Sequence, residues 1–87
     1  MPVTLRVYAT LIDIVGSRVK EVPITSGETI EELLRRTGLY DTVIENGRVK
    51  NMYKVLVNGR DIEFLDGLKT KLKDGDVIDV FPPVAGG

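Results

Sequence analysis

One amphipathic segment with start and stop signals for a helix constrains the fold of this chain most. Thr29 and Glu32 match a capping box, in which the hydroxyl accepts from the Glu32 amide and the carboxylate accepts from the Thr29 amide. The apolar residues that follow recur at helical spacing: Ile30, Leu33 and Leu34. Arg35 and Arg36 suit the negative end of a helix, and Gly38 suits the position just past it. The sequence therefore predicts one main helix that starts near Thr29.

Two segments before this helix have the patterning of strands. Apolar residues alternate with polar ones at the start of the chain: Val3, Leu5, Val7 and Ala9. This period of two predicts a first strand with one buried face. Residues 18–24 predict a second strand, in which Val22 and Ile24 share a face. Pro23 cannot donate to a ladder, so we expect this strand at an edge of the sheet.

Three further strands are predicted after the helix. Asn58-Gly59 is a typical hairpin turn, and it lies between the apolar-rich runs Tyr53–Val57 and Asp61–Phe64. Residues 77–81 are apolar on both faces, with Ile78 and Val80 on one, which predicts a central strand. The sequence predicts no clear element in residues 39–52, apart from a turn at Asn46-Gly47, and leaves 65–72 open between a short helical turn and a loop.

The order of these elements predicts an α+β domain with a mixed sheet and one main helix packed across one face. If the first and last strands pair in the centre, they run parallel, which is the β-grasp arrangement. One face of the sheet then has no helix, and we expect Tyr8, Val77 and Phe81 on it. Exposed apolar residues grouped on one face usually mark a partner site. The alternative is that the connection 39–52 covers them.

The residue inventory excludes several classes of function. The chain has 87 residues, 43% hydrophobic and 29% charged, as expected of one globular domain. It contains no cysteine and no histidine, so the commonest metal ligands, general base and thiol nucleophile are missing. The acidic residues show no spacing typical of a calcium loop or of a glycosidase pair. We therefore expect neither a metal site nor a self-contained enzyme.

Charge and hydropathy limit the kinds of partner and the location that the sequence favours. The formal net charge of −1 does not favour nucleic-acid binding, which needs a concentrated basic face. Acids outnumber bases in residues 61–87, which is either a solvated rim or a face that steers a basic partner. The start of the chain has no apolar signal region, and no apolar run is long enough to span a membrane. These features predict a cytoplasmic protein without membrane contact.

The C-terminal residues are the main functional signal. Two prolines, Pro82 and Pro83, end strand pairing and direct the following chain away from the body. Gly86 and Gly87 have no Cβ, so they can thread a narrow channel and leave the α-carboxylate unhindered. We therefore divide the chain into a β-grasp domain, residues 1–81, and a flexible tail, residues 82–87. Such a tail suits delivery of a carboxylate into the active site of another protein.

The run from Gly75-Asp76-Val77 to Phe81-Pro82-Pro83-Val84-Ala85-Gly86-Gly87 resembles the C-terminus of the MoaD family. This family, part of the MoaD/ThiS superfamily, contains ubiquitin-like β-grasp sulfur carriers that form the small subunit of molybdopterin synthase. The order of elements is also similar: a first strand that ends at Tyr8-Ala9, a loop with Ile14-Val15-Gly16, a capped helix from Thr29, and then Val57-Asn58-Gly59. ThiS, the carrier of the thiamine pathway, shares the Gly-Gly end but resembles this chain less. One departure is residues 65–73, which are longer than expected of a compact MoaD.

The resemblance implies chemistry at Gly87. An ATP-dependent adenylyltransferase of the MoeB/ThiF type would convert its carboxylate to an acyl-adenylate, and sulfide equivalents would displace AMP to leave a thiocarboxylate. The large, MoaE-like subunit of molybdopterin synthase would receive the tail and use that sulfur to build the dithiolene. Gly86 would thread the channel. The chain itself would bind no cofactor and would act as a non-catalytic cosubstrate. The residues expected to contact these partners are Phe81, Pro82, Pro83, Val84, Ala85, Tyr8 and Ile62.

Two other functions stay open. A ubiquitin-like modifier would use the same tail and the same activation, but Gly87 would end in an isopeptide bond to a lysine of a target. A plain interaction domain would need neither, and its tail would be dispensable.

Overall fold

The computed structural model describes residues 1–83. Its strands and helices follow in this order: β1 (Pro2–Val7), α1 (Leu11–Val15), β2 (Val19–Pro23), α2 (Ile30–Arg36), α3 (Tyr40–Val43), β3 (Ile44–Glu45), β4 (Arg48–Val49), β5 (Lys54–Val57), β6 (Arg60–Asp61) and β7 (Val77–Phe81). Two short 3-10 helices, Ile62–Phe64 and Gly67–Lys69, lie between β6 and β7. Within the described residues no helix has both the length and the apolar character needed to cross a membrane.

The main sheet has five strands in the order β2-β1-β7-β5-β6. β1 and β7 run parallel in its centre, and the other neighbouring pairs are antiparallel. The predicted central pairing of the first and last strands is therefore confirmed. β2 lies at an edge, where Pro23 pairs with Pro2, the first residue of β1. The pairing of β1 with β7 begins only at Thr4, so the missing donors disturb no interior ladder. The mixed sheet with α2 confirms the predicted ubiquitin-like β-grasp fold.

Helix α2 begins as predicted. The Glu32 amide donates to Thr29 Oγ1 over 3.3 Å, and the Thr29 amide donates to Glu32 Oε1 over 3.1 Å, so both halves of the capping box form. Gly38 follows the helix with a φ of +81°, a left-handed conformation that suits glycine. The inward side chains of α2 share one core with those of the sheet: Ile30, Leu33, Leu34, Val3, Leu5, Val7, Val55, Val57, Ile78 and Val80. This packing fixes which face of the sheet is free.

Two predictions for the first part of the chain need correction. β1 ends at Val7, and Ala9 is exposed with a φ of +54°, so the alternation that included Ala9 does not continue as a strand. Residues 14–16, expected in a loop, instead complete the short helix α1 and its end at Gly16. α1 has no side-chain cap at Thr10, and its buried residue is Leu11, which belongs to the core. Tertiary packing rather than a local signal stabilises this helix.

The second half of the chain also differs in detail from the sequence-based expectation. Residues 39–52 contain α3 and a small hairpin of β3 and β4, whose turn is the predicted Asn46-Gly47. The second arm of the Asn58-Gly59 hairpin stops at Asp61, because the Asp61 carboxylate caps the following 3-10 helix and accepts from the Glu63 amide. A short side chain that bonds its own backbone competes with the ladder of a strand. Residues 65–72 include the second 3-10 helix.

Candidate functional site

The face of the sheet opposite α2 carries the residues that could meet a partner. Ile78 and Val80 of β7 are buried in the core, so alternation places Val77, Asp79 and Phe81 on the other face. Val77 and Phe81 are only partly exposed, and Asp79 is 4% exposed. The alternative, that residues 39–52 cover this face, is not supported, because their buried residues Leu39, Val43 and Ile44 belong to the core on the side of α2.

Two aromatic rings meet at the end of β7, where the chain leaves the sheet. Tyr8 directly follows β1, and its ring stacks on Phe81 with 4.3 Å between the centroids and 8° between the planes. The guanidinium of Arg18 also lies over the Tyr8 ring, 5.2 Å from its centroid. The sequence predicted that Tyr8 and Phe81 share this face, and the structure brings them into contact. We name Tyr8, Phe81 and Arg18 the aromatic patch.

The buried carboxylate of Asp79 holds Tyr8 of the aromatic patch in place. Arg6 donates from Nε to Asp79 Oδ1 over 2.7 Å and from Nη2 to Oδ2 over 2.8 Å, a bidentate pair between central strands. The Tyr8 hydroxyl donates to the same Oδ1 over 2.9 Å. The hydrogen bonds from Arg6 lower the pKa of Asp79, burial opposes this, and the bond from Tyr8 adds to it. Asp79 raises the pKa of Arg6 through the same hydrogen bonds.

Sequence reasoning missed Arg6 and Asp79. The available signal was Asp79 itself, an acid inside an otherwise apolar central strand, since such a group needs a partner when buried. Its partner could not be identified without the parallel register, which sets Arg6 directly beside Asp79. The network has a geometric consequence: Tyr8 is tied to β7 by its ring and by its hydroxyl. The orientation of Phe81 is therefore set by two strands.

The prediction that Ile62 belongs to this surface is wrong. Ile62 was expected beside Phe81, but it is 1% exposed and belongs to the core. The register explains why: Asp61 pairs with Leu56, which pairs with Asp79, so the following residue points to the opposite face. The residue paired with Phe81 on β5 is Lys54.

The remaining predicted site residues follow Phe81. Pro82 is half-buried and Pro83 is exposed, and β7 ends just before them. Val84, Ala85, Gly86 and Gly87 lie outside the described residues. Among residues 1–83, no three acidic side chains come close enough together to hold a metal ion.

Comparison with known proteins adds the family. The model of the ThiS family matches residues 5–87. The chain belongs to the ThiS family. Kinship with the MoaD/ThiS superfamily of ubiquitin-like sulfur carriers, expected from the C-terminal run, is thereby confirmed. Small archaeal modifier protein 3 of Haloferax volcanii is 41% identical to this ThiS-family chain over 92 residues, covering 100% of both proteins.

Solved structures agree with this assignment. The crystal structure of small archaeal modifier protein 1 from Haloferax volcanii superposes with a TM-score of 0.78 at 26% identity, covering 100% of both chains. A chain in the crystal structure of the BexX/CysO complex from Amycolatopsis orientalis superposes with a TM-score of 0.76 at 30% identity. It covers 98% of this ThiS-family chain and 99% of the other. CysO is crystallised there with a partner protein.

These relatives are named small archaeal modifier proteins and CysO. In this ThiS-family protein, the aromatic patch offers two stacked rings and a cation on the face opposite α2, which suits binding to another protein.

Proposed function

We propose that this protein is a sulfur carrier whose terminal Gly87 carboxylate is activated by a partner enzyme and converted to a thiocarboxylate. A carboxylate is a poor electrophile until it carries a good leaving group, and the sequence has no histidine or cysteine to activate it. In the proposed first step, a carboxylate oxygen of Gly87 attacks the α-phosphate of ATP, and pyrophosphate leaves. In the second, a sulfide equivalent attacks the carbonyl carbon, and AMP leaves.

The observation that carries this proposal is the position of Phe81. Phe81 is the last residue of the central strand β7, and its ring stacks on Tyr8. It follows by two residues Asp79, whose carboxylate accepts hydrogen bonds from Arg6 and Tyr8. The segment 82–87 therefore starts from a point that two central strands hold in place. A partner that binds the aromatic patch would meet the start of that segment at a fixed position, which is what delivery of a reacting group requires.

Two partners follow from this proposal. The first is an ATP-dependent adenylyltransferase of the MoeB/ThiF type, which would bind the patch and receive the tail. The second is a MoaE-like large subunit of molybdopterin synthase, which would take sulfur from Gly87 to form the dithiolene of molybdopterin. The support for this pathway is the run from Phe81 to Gly87, which resembles MoaD. In both complexes residues 82–85 would contact the partner and Gly86 would thread its entry channel, and the chain would act in the cytoplasm without a bound cofactor.

One observation favours a second function, that of a protein modifier. Similarity to small archaeal modifier protein 3 extends over 100% of both chains. In this role the activated Gly87 carbonyl would be attacked by a lysine Nζ, AMP or a thiol would leave, and an isopeptide bond would form. Activation and docking would be the same, so one protein could serve both functions.

Mass spectrometry of the protein from its native host tests the two functions side by side. A thiocarboxylate would raise the intact mass by the difference between sulfur and oxygen, and mild alkylation at the sulfur would then add the mass of the alkyl group. Conjugation leaves a different trace. Lys73 is the last tryptic site, so digestion of a conjugate would leave residues 74–87 on the target lysine. A sulfur-modified terminus supports the carrier, branched peptides support the modifier, and an unmodified terminus without branched peptides contradicts both.

A further inference from the structure

A second surface is formed by the chain segment that connects β6 to β7, and no residue of the aromatic patch lines it. It is an open groove lined by three lysines, Lys69, Lys71 and Lys73, together with Phe64 and Asp66. We name these lysines with Phe64 the lysine groove. This is the segment that is longer than expected of a compact MoaD, and the proposed function does not use it.

The lysines point outward because the backbone between them is fixed. Residues 69–73 alternate in exposure: the three lysines are exposed, Thr70 is 7% exposed and Leu72 is 3% exposed. The Thr70 carbonyl accepts from the Ile30 amide over 2.9 Å, and the Leu72 amide donates to the Glu28 carbonyl over 2.8 Å. Residues 70–72 are thus held in an extended form against the start of α2, and Lys69 ends the 3-10 helix just before them. Alternate residues of an extended chain repeat about every 6.6 Å, which sets the backbone spacing of Lys71 and Lys73.

Phe64 adds an apolar contact beside this row. Its exposed fraction is 80%, the highest among the exposed large hydrophobic residues of the described chain. It sits at the end of the 3-10 helix that Asp61 caps, so its backbone is held in place. A phenylalanine this exposed loses the favourable burial of its ring, which a partner can restore.

The charges that line the lysine groove determine which class of ligand it can bind. Within residues 1–83, no ion pair involves Lys69, Lys71 or Lys73. Asp66 lines the groove too, so its charge is mixed rather than uniformly basic. Acids outnumber bases in residues 61–87 as a whole, but in the lining of the groove three lysines outnumber one aspartate. A nucleic acid carries phosphates along its whole backbone and would bring some of them near Asp66. A peptide with carboxylates at chosen positions can meet the ammonium groups and avoid it.

We propose that the lysine groove binds an extended acidic segment of a partner protein. Its carboxylates pair with the lysines, and one of its apolar side chains covers the Phe64 ring. The inference goes beyond the proposed function, since it needs neither Gly87 nor the aromatic patch. Because the pairs are exposed to solvent, binding is weak and falls as salt rises.

The test uses the full chain labelled with ¹⁵N and a synthetic peptide in which glutamates alternate with serines around a central leucine. We expect amide shifts in residues 64–73 and little change near Tyr8. The double variant with Lys71→Glu and Lys73→Glu should bind at least about tenfold more weakly, and Phe64→Ser about fivefold. The matched control is Lys20→Glu, which reverses an exposed lysine on β2 and should leave the affinity within twofold.

Three comparisons can overturn the proposal. A peptide with glutamine in place of glutamate must bind much more weakly, since equal affinity would mean that charge plays no part. A single-stranded RNA with the same number of charges must bind less tightly than the peptide at about 0.15 M salt. The wild-type chain must stay monomeric at the concentrations used, because self-association lost in Phe64→Ser would identify a second copy as the occupant. Absence of any peptide binding at millimolar concentration also refutes the groove. Thermal melts of all variants establish that they are folded.

Discussion

The Tyr8 side chain contacts β7 twice: its ring stacks on Phe81 at 4.3 Å, and its hydroxyl donates to Asp79 over 2.9 Å. Stacking alone would leave the rings free to slide, and a hydrogen bond alone would leave Phe81 free to rotate. Together they fix the aromatic side chain that immediately precedes the prolines. Since Arg6 holds Asp79 in turn, the rigid element is the central parallel pair of strands.

Replacement of the Phe81 ring should weaken both proposed complexes. Phe81→Ala removes one ring of the stack, and aromatic anchors at interface centres commonly cost at least about 2 kcal/mol when truncated, or about 30-fold in affinity. Affinity for the adenylyltransferase and for the large subunit is measured by calorimetry. Val19→Ala is the control, because Val19 is 48% exposed and pairs with Arg6 on the same sheet. If Phe81→Ala binds both partners within about threefold of wild type, this face is not the docking surface.

The Asp79 network predicts a pH-dependent contribution to stability. Arg6 lowers the pKa of Asp79 below the usual value of about 3.9. The ionised carboxylate is therefore favoured in the folded state, so its contribution is present above pH 4 and is lost as the pH falls below about 4 toward the folded pKa. Asp79→Asn removes that contribution. The difference in melting temperature between wild type and variant should be large near pH 7 and should narrow near pH 3.

Asp13→Asn is the control for that experiment, since it removes an exposed carboxylate of α1 that lies outside the network. Its melting temperature should follow that of wild type at neutral pH. A constant difference between Asp79→Asn and wild type from pH 7 to about 3 would contradict the assigned role of Arg6.

The capping box should have a measurable effect on stability, which Thr29→Ala tests. Loss of an N-cap side chain costs about 0.5–2 kcal/mol, and here it removes the acceptor for the Glu32 amide. Thr10→Ala is the matched control, because Thr10 occupies the N-cap position of α1 but makes no side-chain cap bond. Its unfolding free energy should change by less than about 0.5 kcal/mol. Urea denaturation measures the free energy of unfolding of both variants. If the two variants lose equal amounts relative to wild type, the capping geometry does not stabilise α2.

Local signals explain which elements the sequence predicted well. The Thr29 capping box, the Asn58-Gly59 turn and the edge residue Pro23 each act within a few residues, so their effect can be predicted without knowing the fold. The central place of β7 was predicted because residues 77–81 carry apolar side chains on both faces and because of their position in the order of elements. These features were enough to predict the β-grasp arrangement.

Long-range pairing explains what was missed. Helix α1 lacks a cap and depends on burial of Leu11, which only the folded core provides. The side of the sheet on which Ile62 lies depends on the register between β5 and β6, and a shift of one residue would reverse it. The pairing of Arg6 with Asp79 likewise requires the parallel register of β1 and β7. Local propensity does not determine any of these three contacts.

The decisive prediction for the proposed function concerns Gly87. Its deletion should abolish adenylation and sulfur transfer while leaving the melting temperature unchanged within about 1 °C. The body should be unaffected because the core lies within the elements that end at Phe81. The reaction should fail because displacement of a reacting atom by about 1 Å can already cost about 10²-fold. The assay is ATP–pyrophosphate exchange with the cognate adenylyltransferase.

The variant Gly86→Val tests whether the tail can pass through the channel of the partner, separately from the chemistry at the terminal carboxylate. The terminal carboxylate remains, but the β-branched side chain should clash in a channel shaped for glycine, so we expect exchange that is reduced rather than abolished. Gly86→Ala is the matched comparison, since it adds a Cβ without the branch and should reduce exchange less than Gly86→Val does. Full exchange activity in the Gly87 deletion would exclude the carrier and the modifier together, because both require the same acyl-adenylate. A plain interaction domain would then be the remaining function, and the aromatic patch would have to serve it without the tail.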